Sequence, residues 1–123
     1  MEHMLAMRIL IVEDEPDVRR FFARALSHIA PSAEVVEAVD GLDGLTRFQS
    51  EAFDLILSDQ KMPRMTGVEL LRAVRASSAV PFLLITADRS VEIEALAAGV
   101  SELLSKPISI AALRNVIGRY LKI

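Results

Sequence analysis

Four short apolar runs in this chain end in side chains that could act together on a phosphate group. Asp59 closes one run, Glu13 and Asp14 follow another, Thr86 ends a third, and Lys106 follows a fourth. Carboxylate oxygens are ligands that Mg²⁺ prefers, and an ammonium group is a compact charge that binds phosphate. If the four run ends meet in the folded chain, they form one site for phosphate and a metal ion.

The elements that must bring these residues together alternate along the chain. Strands are predicted where apolar residues run continuously, and helices where apolar residues recur every three or four positions. The predicted strands span residues 8–13, 34–39, 53–58, 82–86 and 101–105. Helix starts are predicted at residues that suit an N-cap or a first turn, namely Pro16, Asp40, Gly67, Asp88 and Ser109. The apolar face of the fourth helix carries Val91, Ile93 and Leu96.

The order of these elements predicts an α/β fold with a parallel sheet. A strand followed by a helix repeats five times, which is typical of a doubly wound sheet covered by helices on both faces. Ligands of such sheets bind beyond the carboxyl ends of the strands, where the strand order reverses. For the order 2-1-3-4-5 this point lies between strands 1 and 3, so Glu13, Asp14 and Asp59 are expected there.

Composition limits the classes of protein to which the chain can belong. Its 123 residues suit one domain, and 52% of them are apolar, so we expect a folded core. A formal net charge of −3 argues against direct binding of nucleic acid or an anionic membrane. There is no cysteine, which excludes disulfides and thiolate chemistry. No apolar stretch approaches the roughly 20 residues that span a bilayer, and the first residues make a poor signal peptide, so we expect a cytoplasmic protein.

On these motifs the chain resembles a response-regulator receiver domain of two-component signalling. The resemblance covers residues 7–122 and is carried by four motifs: Ile11-Val12-Glu13-Asp14-Glu15-Pro16, Asp59-Gln60-Lys61-Met62-Pro63 with Gly67, Ile85-Thr86-Ala87, and Lys106-Pro107. It implies a flavodoxin-like (βα)₅ fold with strand order 2-1-3-4-5. We assign residues 7–123 to the receiver domain and residues 1–6 to an N-terminal extension or a cloning remnant. We expect a monomer or weak dimer, either stand-alone or excised from a longer protein such as a hybrid histidine kinase.

The resemblance implies how the acidic residues act. Asp59 would be the phosphoacceptor, and its donor would be the phosphohistidine of a histidine kinase or a histidine phosphotransfer protein. Glu13, Asp14 and Asp59 would bind Mg²⁺ together with the backbone carbonyl of Lys61. Phosphoryl transfer depends on positioning and charge neutralisation more than on covalent help from the protein. The chain would therefore be a signalling domain, not an enzyme, and its only reactions would be its own phosphorylation and dephosphorylation.

Thr86 and Lys106 would contact the phosphoryl group after transfer. The Thr86 hydroxyl would donate to a phosphoryl oxygen, and the Lys106 ammonium would balance the charge of the group. The Lys–Pro peptide bond of the family is typically cis, and here it joins Lys106 to Pro107. We interpret Pro63, Gly67 and Pro107 as structural residues.

Leu103 departs from the pattern of the family. Receivers commonly carry Tyr or Phe three residues before the lysine, and this ring rotates inward when the threonine moves toward the phosphate. Thr86 and Leu103 would be the switch residues. Two alternatives stay open for how phosphorylation affects the rest of the domain. Phosphorylation could change the surface of the fourth helix, fifth strand and fifth helix, and so control an unidentified downstream protein. Alternatively, the domain could be a phosphate sink or relay with little conformational output.

Two functions from other classes fit the residues less well. A nucleotide- or flavin-binding module would use a glycine-rich phosphate loop, and neither a P-loop nor a Gly-x-Gly-x-x-Gly motif is present. A metal-dependent phosphatase with an aspartyl intermediate would want a second acid two residues beyond Asp59, where this chain has Lys61.

Four arginines near the predicted site are not part of these motifs. Arg19 and Arg20 are predicted to lie on a solvated helix face. Arg64 and Arg89 lie on loops near the site, where they are either surface residues or groups that steer a phosphorylated donor.

Overall fold

A computed structural model describes residues 6–123 and confirms the predicted (βα)₅ architecture. The strands are Arg8–Val12 (β1), Glu34–Ala38 (β2), Leu55–Asp59 (β3), Phe82–Thr86 (β4) and Glu102–Ser105 (β5). The helices are Pro16–Ile29 (α1), Gly41–Ser50 (α2), Gly67–Arg75 (α3), Glu92–Ala98 (α4) and Ile110–Leu121 (α5). β3 starts two residues later than predicted and ends on Asp59 itself. Residues 1–5 lie outside the described residues, so the N-terminal extension stays a prediction.

The five strands form one parallel sheet with the predicted order β2-β1-β3-β4-β5. In the register of the sheet, Val12 of β1 pairs with Ser58 of β3. The next residues along these strands, Glu13 and Asp59, are therefore neighbours at the carboxyl edge. Thr86 ends the adjacent strand, β4, at the same edge.

Alternate residues of the strands pack into two apolar cores, one on each face of the sheet. On one face Ile11, Leu57 and Leu83 form a row across three strands and belong to the same buried cluster as Leu26 of α1 and Ile117 of α5. The opposite face packs against α2, α3 and α4. Burial on both faces explains why the strands are continuous apolar runs rather than alternating ones. Each fully buried Leu or Ile contributes about 1.5–3 kcal/mol to stability.

The helix starts follow local sequence signals. The side chains of Asp40 and Ser109 accept hydrogen bonds from amides in the first turns of α2 and α5, as predicted. α3 is capped by Thr66, which forms a reciprocal capping box with Glu69 that the sequence prediction missed. Among the helices of residues 6–123, none has the length and apolar character of a membrane span.

The start and the packing of α4 differ from the prediction. Asp88 caps a 3-10 turn at Arg89–Val91, and the α-helix begins only after this turn. Ala95 is the residue of α4 that is buried, whereas Ile93 and Leu96 are 82% and 61% exposed. Within the seven residues of α4, Ala95 and the partly buried Ala98 pack against the core, and the larger apolar residues face outward.

Candidate phosphate and metal site

Three carboxylates meet at the carboxyl edge of the sheet, between β1 and β3. Glu13 and Asp14 follow β1 and Asp59 ends β3, and each offers an oxygen within 4.8 Å of the others. Glu13 is only 2% exposed, whereas Asp14 and Asp59 are partly exposed. The cluster lies where the strand order reverses, which is the position that open α/β sheets use for ligands.

Lys106 brings its positive charge into this cluster. Its Nζ lies 3.0 Å from Asp59 Oδ1 and 3.8 Å from Glu13 Oε1. The peptide bond from Lys106 to Pro107 is cis, as expected. Three carboxylates and one ammonium carry a net charge of −2 when all are ionised. The Lys106 ammonium therefore compensates only part of the negative charge of the site.

Burial raises the pKa of the Glu13 carboxyl to about 7. Two smaller effects act in opposite directions, because the carboxylate of Asp59 raises this pKa and the Lys106 ammonium lowers it. The backbone amide of Glu15 also favours the charged form, since it donates a hydrogen bond of 3.1 Å to Glu13 Oε2. In the metal-free protein, Glu13 therefore changes its charge near neutral pH.

Arg19 supports the site from α1, so the prediction of a solvated side chain was wrong for this residue. Its Nη1 donates to the carbonyl oxygen of Glu13 at 3.0 Å, and its Nε lies 3.1 Å from Glu37 Oε1. The side chain is 11% exposed, whereas Arg20 is exposed as predicted. Glu37 lies on β2, and no local pattern in the sequence announces this contact.

The loop that follows Asp59, residues 60–66, is closed tightly where it joins α3. The amides of Gly67 and Val68 donate to the backbone and side-chain oxygens of Gln60, both at 2.9 Å. A Cβ on Gly67 would lie 2.4 Å from the carbonyl oxygen of Asp59, so this approach requires glycine. The sequence prediction missed Gln60, whose side chain links the end of β3 to the first turn of α3.

Thr86 faces the same cleft, but its hydroxyl is already hydrogen-bonded. Its Oγ1 accepts from the Asp88 amide at 3.0 Å and lies 3.3 Å from the Asp88 carbonyl, to which it donates. Leu103 pairs with Leu84 in the sheet and packs, partly buried, in the apolar core beneath α4. Leu103 does not line the cleft that Thr86 faces.

Most of the predicted site residues surround one cleft of about 720 Å³. The predicted residues that line it are Glu13, Asp14, Asp59, Lys61, Thr86 and Lys106. The predicted structural residues Pro63, Gly67 and Pro107 lie outside its lining, as does Leu103. The donor set fits Mg²⁺, because several carboxylate oxygens converge and Lys106 leaves part of their charge uncompensated.

The two loop arginines both bind groups of this chain. Arg64 forms an ion pair with Asp40 at the start of α2. Arg89 donates to Ser105 Oγ at 2.8 Å and lies 3.3 Å from Glu92 Oε2. These contacts favour the surface interpretation of Arg89, and they give Arg64 a specific partner.

Comparisons with known proteins agree with this geometry. A family model described as the response regulator receiver domain matches residues 9–118. The chemotaxis protein CheY of Pseudomonas aeruginosa is 39% identical over 116 residues, which cover 90% of this chain and 93% of that protein. Hybrid signal transduction histidine kinase D of Dictyostelium discoideum is 39% identical over 106 residues, which cover 82% of this chain but only 7% of the kinase.

A solved structure extends the comparison to the metal. It is the receiver domain of a sensor histidine kinase from Pseudomonas aeruginosa PAO1, with a magnesium ion coordinated in its active-site cleft. It matches with a TM-score of 0.86 and 26% identity, and the match covers 97% of this chain and all of that domain.

Proposed function

The chain belongs to the response regulator receiver domain family of two-component signalling, and on this premise we propose that Asp59 accepts a phosphoryl group from the phosphohistidine of a partner histidine kinase or phosphotransfer protein. One observation carries the proposal: Asp59 Oδ1 lies in the acidic cluster with the Lys106 ammonium 3.0 Å away. The limits of the domain at residues 7–123, a cytoplasmic location and a monomeric or weakly dimeric state stay predictions.

In the proposed transfer, a carboxylate oxygen of Asp59 attacks the phosphorus atom in line with the phosphorus–nitrogen bond. A phosphorus–oxygen bond forms as the phosphorus–nitrogen bond breaks, and the electron pair of the broken bond returns to the imidazole of the partner. The Lys106 ammonium, already beside Asp59, balances charge on the phosphoryl oxygens during this step. Later hydrolysis of the aspartyl phosphate would restore the carboxylate, so the chain acts on itself and turns over no separate substrate.

The residues that would hold Mg²⁺ are Asp14, Asp59 and the backbone carbonyl of Lys61, with Glu13 acting directly or through water. When bound, the ion supplies positive charge that stabilises the transferring phosphoryl group. The geometry supports this assignment, because Glu13, Asp14 and Asp59 each offer an oxygen within 4.8 Å of the others.

We propose that the Thr86 hydroxyl carries the signal away from the site. To donate to a phosphoryl oxygen, the hydroxyl must give up the hydrogen bond that it donates to the Asp88 carbonyl. Because Asp88 caps the 3-10 turn before α4, this exchange would shift the surface formed by α4, β5 and α5. The downstream partner would be a protein that binds this surface in one state only.

A second candidate, a phosphate sink or relay, is favoured by Leu103. Leu103 has no ring to turn, and it already packs in the core beneath α4. Phosphorylation at Asp59 would then leave the surface of α4, β5 and α5 nearly unchanged.

Mass spectrometry after incubation with acetyl phosphate and Mg²⁺ tests the first step. We expect one phosphoryl group on the wild type and none on Asp59→Asn. Asp54→Asn is the matched control, because Asp54 lies at the opposite end of β3 and binds the Arg8 amide there. Phosphorylation of Asp59→Asn at the wild-type level would refute the proposal.

NMR with beryllofluoride and Mg²⁺ separates the two readouts. Amide shifts around Thr86, α4 and Leu103 would support the conformational switch. Shifts confined to residues 13–14 and 59–66 would support the sink or relay.

A further inference from the structure

The tip of the loop at residues 60–66 is tied to the start of α2. The Arg64 guanidinium forms an ion pair with Asp40 through Nη2 and Oδ2. Asp40 is 5% exposed, and its other oxygen accepts the α2 capping hydrogen bond from the Asp43 amide at 2.8 Å. One buried carboxylate therefore serves both the helix cap and the loop.

The backbone of Arg64 adopts an unusual conformation at the tip of the loop. Its φ is 69°, in the left-handed region that residues with a Cβ adopt only when the surroundings compensate for it. Arginine has no local side-chain hydrogen bond that favours this conformation, unlike asparagine or aspartate. The hydrogen bond from the Met65 amide to the Pro63 carbonyl (2.7 Å) spans Arg64, and the ion pair with Asp40 adds a second interaction that holds this conformation.

A close backbone contact lies beside the ion pair. A Cβ on Gly41, the first residue of α2, would lie 2.5 Å from the carbonyl oxygen of Met65, so only glycine allows the loop to approach this near. Within residues 6–123, Arg64 makes the only side-chain hydrogen bond from the loop to an element other than β3 and α3. The loop is thus held at its base by Gln60 and at its tip by Arg64.

We propose that Arg64 is a positioning residue of the phosphorylation site, and that its ion pair with Asp40 fixes the loop so that the Lys61 carbonyl can bind Mg²⁺. This inference rests on the proposed function of Asp59. Mg²⁺ demands near-ideal octahedral geometry, so a carbonyl ligand supplied by a loop must be held in place. Lys61 lies between the two points at which the loop is held, three residues before Arg64.

Isothermal titration calorimetry with Mg²⁺ alone tests the inference on the intact chain. Asp40→Asn is the informative variant, because asparagine caps a helix as well as aspartate but lacks the charge that binds Arg64. We expect Asp40→Asn and Arg64→Ala to weaken Mg²⁺ binding roughly three- to tenfold, less than the 10- to 100-fold typical of groups that touch a metal ligand directly. Arg64→Gly should retain more affinity than Arg64→Ala, since glycine adopts positive φ freely.

Arg72→Ala is the matched control, because it removes an exposed ion pair to Glu94 (2.8 Å) that joins α3 to α4 and leaves the loop intact. Mg²⁺ affinity of this variant should equal that of the wild type. The double variant Asp40→Asn/Arg64→Ala should bind Mg²⁺ no more weakly than the weaker single variant, since both single changes break one pair. Additive losses would overturn the inference.

Parallel phosphorylation of the wild type with acetyl phosphate keeps the two proposals apart. If the wild type binds Mg²⁺ and is phosphorylated while Asp40→Asn and Arg64→Ala match its affinity, the role of Arg64 is refuted and that of Asp59 stands. If the wild type neither binds Mg²⁺ nor is phosphorylated, both proposals fail. Circular dichroism confirms folding, and Arg64→Gly, which lacks the guanidinium but adopts positive φ freely, provides the comparison if Arg64→Ala does not fold.

Discussion

Replacing Glu13 by glutamine should stabilise the metal-free protein at neutral pH. The wild type should lose stability as the pH rises from acid to neutral, and the glutamine variant should lose much less. The ordinary pKa of 4.5 is raised by burial to about 7 in the folded protein. Between these two values the native state holds a proton that the unfolded chain has released, so stability falls as pH rises. Below pH 4.5 both states are protonated, and above about pH 7 the loss is complete.

The size of the effect follows from the difference between the two pKa values. The rise from 4.5 to about 7 is a difference of about 2.5, and each unit of pKa corresponds to about 1.36 kcal/mol. The free energy of unfolding should therefore fall by about 3 kcal/mol across this window. That is a large part of the total stability of about 5–15 kcal/mol that is usual for a domain. Glutamine can keep the 3.1 Å hydrogen bond from the Glu15 amide, because its side-chain carbonyl oxygen also accepts.

Urea unfolding followed by far-ultraviolet circular dichroism, in EDTA and at several pH values between 4 and 8, measures the difference. The chain has no tryptophan, so fluorescence is a poor probe. We expect the wild type to lose stability relative to Glu13→Gln as pH rises, whereas Glu15→Gln, a change at the exposed neighbour, should follow the wild type. Parallel curves for wild type and Glu13→Gln would refute the reasoning. Adding Mg²⁺ should stabilise the wild type more at pH 8 than at pH 5, because the Glu13 side chain attracts the ion only in its charged form.

Three further predictions concern packing and charge. Gly67→Ala should lower the free energy of unfolding by about 1–3 kcal/mol, because the new Cβ would lie 2.4 Å from Asp59 O and Leu84 Cδ1. Gly118→Ala in α5, whose Cβ would meet nothing nearer than 3.5 Å, should instead be neutral or stabilising by about 0.5–1 kcal/mol, and equal urea midpoints for the two variants would contradict this. Arg75→Lys should destabilise by about 1–2 kcal/mol, because the guanidinium donates to the carbonyls of Ser78, Val80 and Gly99, a set that one ammonium cannot match. Exposed Arg114→Lys serves as its control, and an equal effect at both positions would argue against the Arg75 network. Lys106→Met should raise the pKa of Glu13 further, because the Lys106 ammonium lowers it. Carbon-13 NMR of the Glu13 carboxyl measures this pKa, and an unchanged titration would show that the ammonium is unimportant.

The fold and the meeting of the acidic residues could be predicted because both depend on order along the chain. Neighbouring parallel strands have their carboxyl ends at one edge of the sheet, so residues at or just after the ends of β1, β3 and β4 must gather there. Periodicity was less informative for α4, because a seven-residue helix over a sheet edge buries Ala95 and leaves Ile93 and Leu96 outside. A short helix contains too few turns for its apolar positions to indicate which face is covered.

Periodicity and short motifs were enough to predict the doubly wound sheet, the family and the groups at the strand ends. The contacts that support those groups became visible in the folded chain. Arg19 reaches the Glu13 carbonyl, and Arg64 reaches Asp40 24 residues earlier in the chain. The pKa of Glu13 likewise reflects burial by residues that are distant in sequence. Such contacts depend on side-chain reach and burial in the folded chain, and neither quantity is expressed in local sequence patterns.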